Sequence, residues 1–306
     1  MTDIDEASLS GVDRMASLFK ETFATHRTGS LDEIRACFED VLTQMPIDDD
    51  ASIVADTYGG VDGYWVRAAQ ASTNRIGVML HGGGFVMGSA KGYRAFAAEV
   101  SRVTDSRIFV PEYRLAPEHP FPAAVDDATA VIGAAVAEAG PESTFAIGDS
   151  AGGGLVVSSL MALHGARQPI PGCIVLVSAL VDLTVSNASF QELASVDPIC
   201  AQAGTRRNVG LYLDGAGPQE APGAFPMLTD LSWLPPSLVL VGGAEVLRDD
   251  SRNLADKLQR EGVSVTLHEY PDMIHVWPLF SSIVSEGRQA LEEIGAFVNS
   301  AAAEST

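Results

Sequence analysis

Apolar positions along the chain change rhythm twice. Residues 9 to 24 place Leu9, Val12, Met15, Phe19 and Phe23 at helical spacing, and residues 31 to 45 do the same with Leu31, Ile34, Phe38, Val41, Leu42 and Met45. Ser30 and Glu33 form a capping box that predicts the start of the second helix. Two short strand-like runs follow, Ser52 to Tyr58 and Tyr64 to Ala68, with the turn GGVDG between them. From Arg75 onward, apolar runs alternate with helical patterns. The strands are predicted at 76–80, 107–113, 144–148, 173–179, 237–243 and 263–270. The helices are predicted at 92–103, 122–138, from Ser150 onward, 249–261 and 283–300. Continuous apolar strands alternating with helices predict a mostly parallel sheet covered on both faces.

The stretch 183–232 breaks the alternation. It is rich in Gly and Pro and too long for an ordinary loop in a compact domain. It is expected to form a cap with the N-terminal helices. The organisation predicted is therefore 1–48 as cap helices, 49–182 as the first part of an α/β core, 183–232 as the cap insertion and 233–306 as the second part of the core.

Composition narrows the partners. The 306 residues carry a net charge of −21, which argues against nucleic acid and anionic membrane, since each needs a basic patch. Apolar windows are too short to span a bilayer. The polar start MTDIDEASLSGVDR does not read as a secretory signal. Cys37, Cys173 and Cys200 are far apart and odd in number, so reduced thiols and a cytoplasmic location are expected. No metal site and no cofactor are expected.

The chemistry gathers at two glycine-rich corners. Gly148-Asp149-Ser150-Ala151-Gly152 is G-x-S-x-G between a strand and a helix, the setting of a nucleophile elbow. The plain alternative is a serine that only caps its helix. His81-Gly82-Gly83-Gly84 also follows a strand. The N–H groups of Gly83, Gly84 and Ala151 are the candidates for an oxyanion hole. A phosphate loop is the alternative, but neither GK[ST] nor a dinucleotide pattern is present.

HGGG, then YRLAPEHPFPAAVDD (113–127), then GDSAGG together resemble the hormone-sensitive-lipase-like, bacterial family IV branch of α/β-hydrolase carboxylesterases. The resemblance runs from about residue 76 to 300. It implies an α/β-hydrolase fold with an eight-stranded, mostly parallel sheet, helices on both faces and a helical cap. In that fold the triad order is serine, acid, histidine. Of the histidines after the acid, His268 alternates within a strand, whereas His275 follows the strand's carboxyl end and matches the family's catalytic position. The family pattern Asp-Pro-Leu-Arg-Asp is Glu245-Val246-Leu247-Arg248-Asp249 here, which implies Glu245 as the acid. Asp249 and Asp250 are the rivals, otherwise read as dipole-favoured residues at a helix start.

The expected activity is a serine carboxylesterase hydrolysing short- to medium-chain acyl esters of small molecules through an acyl-enzyme. A natural-product deacetylase, lactonase or amidase would use the same triad. A non-catalytic small-molecule receptor on this fold would be expected to have lost a triad member. Met15, Phe19, Phe23, Phe85, Leu180 and Phe190 are candidate pocket walls, with core packing as the alternative for each. The late strand 263–270 is expected at a sheet edge, where a second copy could pair to form a homodimer.

Overall fold

The computed structural model describes residues 10–24 and 29–303. Leu9 and the side chain of Phe23 lie outside the described residues. Two helices come first, α1 (Gly11–Ala24) and α2 (Leu31–Thr43). Ser30 caps α2 through the N–H of Glu33, whose carboxylate accepts the N–H of Ser30 in return.

One eight-stranded sheet follows, in the order β1-β2-β4-β3-β5-β6-β7-β8. The strands are β1 (Ser52–Tyr58), β2 (Val61–Arg67), β3 (Ile76–Leu80), β4 (Arg107–Pro111), β5 (Thr144–Asp149), β6 (Cys173–Val177), β7 (Ser237–Gly242) and β8 (Val265–Tyr270). The first two pairings, β1 with β2 and β2 with β4, are antiparallel, and the rest are parallel. The expected GGVDG turn is shorter than its sequence suggested. Only Gly59 and Gly60 turn, because Val61 to Gly63 already pair with Tyr58 to Asp56. The strand expected to reach Tyr113 stops at Pro111, where the YRLAPEHP loop leaves the sheet. The stretch from Tyr113 to Pro122 holds two cis peptide bonds, Ala116–Pro117 and Phe121–Pro122.

The central strands are apolar throughout because both faces are covered. Ile76, Val78 and Leu80 of β3 pack on one side with α4 (Ala123–Ala139) and α5 (Ala151–Gly165). Met79 points to the other, with α3 (Arg94–Thr104) and α9 (Ser285–Ala303). In β6, Ile174 and Leu176 join the first core, and Cys173, Val175 and Val177 join the second. This two-residue alternation between two cores follows from strand geometry. Between β6 and β7 the chain makes α6 (Ser189–Glu192) and α7 (Gln202–Leu213). After β7 comes α8 (Arg248–Arg260).

Candidate active site

The turn from β5 to α5 leaves Ser150 with φ 51° and ψ −123°. Such a conformation costs a non-glycine residue about 1–3 kcal/mol and persists only when its surroundings impose it. They do so here. The Ser150 N–H donates to the Val177 carbonyl at 2.9 Å, and the Ser150 carbonyl accepts the Leu180 N–H at 2.8 Å. Gly152 is required next, since a Cβ there would drive into the Leu80 carbonyl oxygen.

Two other strand ends supply the partners. His275 lies just after β8, and the N–H of the following Val276 donates to Ser178 Oγ at 3.2 Å. Glu245 lies between β7 and α8, and its Oε1 accepts the Gly242 N–H at 3.3 Å. The three side chains form one row. His275 Nε2 is 3.0 Å from Ser150 Oγ, and His275 Nδ1 is 2.9 Å from Glu245 Oε2. All three residues are buried. Ligands in open parallel sheets bind beyond the carboxyl ends of the strands, and the row sits there.

Burial and partners set the protonation balance. Burial disfavours a charged His275 ring, but the Cys200 sulfur and the Glu245 carboxylate beside it outweigh that and lift its pKa well above the ordinary imidazole value. Burial raises the pKa of Glu245, against the opposing pull of His275. Burial lowers His81 to about 4, so that ring is neutral; it stacks on Tyr113 with centroids 4.1 Å apart.

The HGGG loop faces the row from β3. Gly83 has φ +115°, a backbone only glycine adopts readily. Among the described residues, the N–H groups of Gly83, Gly84 and Ala151 donate to no protein acceptor. The loop is anchored from below. The Gly82 N–H lies 2.9 Å from the Tyr93 hydroxyl oxygen and 3.0 Å from Asp149 Oδ1, and Tyr93 O–H donates to Asp149 Oδ2 at 2.8 Å. Burial pushes the Asp149 carboxyl up to about 7.

The row opens into a cavity of about 810 Å³. Phe19 and Lys20 of α1 and Phe38 of α2 line one side. Ile199, Cys200 and Asn208, from the stretch between β6 and β7, line another. Ser150, Gly83, Gly84 and His275 also line it. Of the described pocket candidates, Phe19 and Leu180 reach the cavity. Met15, Phe85 and Phe190 are absent from its lining and belong to the cores. Phe85 stacks on Tyr212 with centroids 3.9 Å apart.

His268 is a strand residue whose Nδ1 meets Glu293 at 2.6 Å. Asp249 and Asp250 sit in the first turn of α8 and bond to Ser189 and Asn187, away from the imidazole. Among the described residues there is no cluster of three or more His, Cys, Asp or Glu able to hold a metal ion. No described helix is long and apolar enough to cross a membrane. Tyr93, Ser178, Asp197 and Asn208 also surround the site and went unseen in the sequence. Their only sequence signal is polarity, and each reaches the site through tertiary contacts.

Comparison with known proteins places this geometry. Residues 77–279 match the model of a family described as having the alpha/beta hydrolase fold. An acetyl-hydrolase of Streptomyces hygroscopicus is 37% identical over 249 residues, 81% of this chain and 83% of that protein. An esterase of Acinetobacter venetianus is 29% identical over 93% of this chain and 94% of that protein. The crystal structure of an esterase from the bacterial hormone-sensitive lipase family superposes with a TM-score of 0.91 at 38% identity, covering 95% of this chain and 98% of that one. The chain belongs to the α/β-hydrolase fold family, in its branch of bacterial hormone-sensitive-lipase esterases, and is an ester hydrolase.

Proposed function

We propose that the protein is a serine carboxylesterase for short- to medium-chain acyl esters of small molecules, working through an acyl-enzyme. The observation that carries this reading is the row Ser150–His275–Glu245 at 3.0 and 2.9 Å beside three unpaired amides. Ser150 Oγ attacks the ester carbonyl carbon while His275 Nε2 takes its proton. The Nδ1–H of the resulting imidazolium donates to Glu245 Oε2, which stabilises the cation. The carbonyl oxygen becomes an oxyanion facing the N–H groups of Gly83, Gly84 and Ala151. A donor of this kind is worth about 3–4 kcal/mol of barrier. His275 then returns the proton to the departing alcohol. Water enters and its oxygen attacks the acyl carbon while Nε2 takes one proton; the C–Oγ bond then breaks as Nε2 returns that proton to Ser150 Oγ, releasing the acid.

In this reading, residues 1–48 and 183–232 form the roof and the remaining stretches form the catalytic core. The cavity beside the row takes the acyl group, and the acetyl-hydrolase among the relatives supports the short end. A deacetylase would lie within the same range, since acetyl is among the shortest acyl groups. Unpaired thiols at Cys37, Cys173 and Cys200 fit the reducing cytoplasm. A homodimer through the edge strand β8 completes the proposal, and sedimentation at monomer mass removes that part alone.

The test is a p-nitrophenyl ester series from acetate to decanoate. We expect kcat/KM to peak among the short esters and to fall at decanoate, with a fluorophosphonate labelling Ser150. A peak at decanoate refutes the chain-length assignment. Turnover confined to amides or lactones selects those alternatives. Absence of both turnover and Ser150 labelling would make the protein a binder.

A further inference from the structure

The Glu245 carboxylate meets three groups: the His275 ring, the Gly242 N–H at 3.3 Å and the Ser178 side chain. Its position also depends on the peptide that carries it. Upstream, the Gly243 N–H donates to Tyr270 O at 2.7 Å and the Ala244 N–H to Met273 O at 3.0 Å. These contacts tie the acid's loop to the segment that bears His275.

Downstream, the anchors are side chains from the stretch between β6 and β7. The Val246 N–H donates to Asp197 Oδ2 at 2.9 Å, and Ser189 O–H donates to the Val246 carbonyl at 2.6 Å. Both backbone polar groups of the buried Val246 are thus held from outside its own loop. Asp197 is itself 7% exposed. Its other oxygen, Oδ1, accepts the N–H groups of Ile199 and Cys200 at 2.9 and 3.0 Å. Ile199 and Cys200 line the cavity.

Closing a local turn would need Oδ1 alone. The second oxygen does something the turn does not require. A proline at 246 would have no N–H to give it. This chain departs from Asp-Pro-Leu-Arg-Asp at that position, and the valine N–H is what Asp197 binds.

We propose that Asp197 is a positioning residue for Glu245, clamping the peptide after the acid and joining it to the cavity wall at 199–200. The proposal rests on the reading of Glu245 as the acid. Asp197 touches no reacting atom. It acts by fixing where the Glu245 carboxylate meets His275 Nδ1, so its loss should appear mainly in kcat.

The experiment measures kcat and KM on p-nitrophenyl butyrate for Asp197→Asn, Glu245→Gln and the double variant, with thermal melts to verify folding. In Asp197→Asn one oxygen can still serve Ile199 and Cys200, while an NH2 faces the Val246 N–H, donor against donor. We expect kcat to fall about tenfold and KM to stay within about twofold, the scale of a small misplacement of a catalytic group. On the Glu245→Gln background the same change should cost nothing further. An unchanged kcat in Asp197→Asn, or a full tenfold loss repeated on the Glu245→Gln background, overturns the proposal. Full activity in Glu245→Gln alone would instead remove the acid assignment beneath it.

Should Asp197→Asn fail to give a cooperative melt, Val246→Pro reads the link from the other side. A drop in kcat at constant KM supports the clamp, and wild-type kcat refutes it.

Discussion

The corner that carries Ser150 and the loop that carries Glu245 reach the same hydrogen-bonded row by opposite means. Ser150 is fixed by backbone. Its N–H and carbonyl bond to Val177 and Leu180, and Gly152 lets the helix pass close to β3. The bonds to the Ser150 N–H and carbonyl come from main-chain groups. Glu245 stands on a loop whose peptide is gripped by Asp197 and Ser189, about 50 residues earlier in the chain. The geometry of Ser150 is thus set by main-chain bonds to the end of β6 and the residues just after it, whereas that of Glu245 also draws on the side chains of Asp197 and Ser189.

The largest effect should come at the backbone-fixed corner. Ser150→Ala should lower kcat about a thousandfold or more, with an unchanged thermal melt, because the hydroxyl is not what holds the turn. Substantial residual activity would remove Ser150 as the nucleophile.

Glu245→Gln should come next, with kcat down about a hundredfold or more. It should also move the pH profile. In the proposed mechanism His275 must be neutral to accept a proton, and its pKa is raised. The wild-type acidic limb of kcat/KM should therefore lie above the ordinary imidazole value of about 6.5, with activity lost as pH falls through it. Gln removes the carboxylate that favours the cation while burial still opposes it, so the limb should shift to lower pH. A limb that stays in place would mean that Glu245 does not set the charge on the ring.

A smaller effect should follow Tyr93→Phe. The hydroxyl that joins Gly82 to Asp149 is lost, and the HGGG loop loosens beneath the oxyanion. We expect roughly tenfold in kcat, below the cost of losing an oxyanion donor itself. No change would show that Asp149 alone anchors the loop.

Asp249→Asn should do least, within about twofold in kcat, since Asp249 bonds Ser189 N–H and Arg248 rather than the imidazole. A loss as large as that of Glu245→Gln would exchange the two assignments.

The same contrast explains what the sequence revealed. G-x-S-x-G and HGGG are legible because each requirement is local: a strained turn, a close approach, a run of amides. His275 is singled out by chain order together with the family resemblance, and Glu245 by the resemblance's Leu-Arg-Asp register. Tyr93 and Asp197 are not, because a tyrosine at a helix start and an aspartate in a loop acquire meaning only from residues tens of positions away. The pocket was half legible for a related reason. Helical spacing marks an apolar face but not what that face meets. On α1, Met15 packs into the core while Phe19, one turn on, reaches the cavity. Phe85 sits beside the HGGG motif, yet stacks on Tyr212.

The cavity borrows much of its wall from α1, α2 and the residues around 199 and 208, whereas the hydrogen-bonded row comes from the strand ends. On the proposed reading, substrate choice and bond cleavage are therefore written largely in different stretches of the gene. Recombining or randomising the N-terminal fifty codons should redraw which esters fit while leaving the chemical step in place. The exception is the stretch around Asp197, where a change made for selectivity would also tug on the acid.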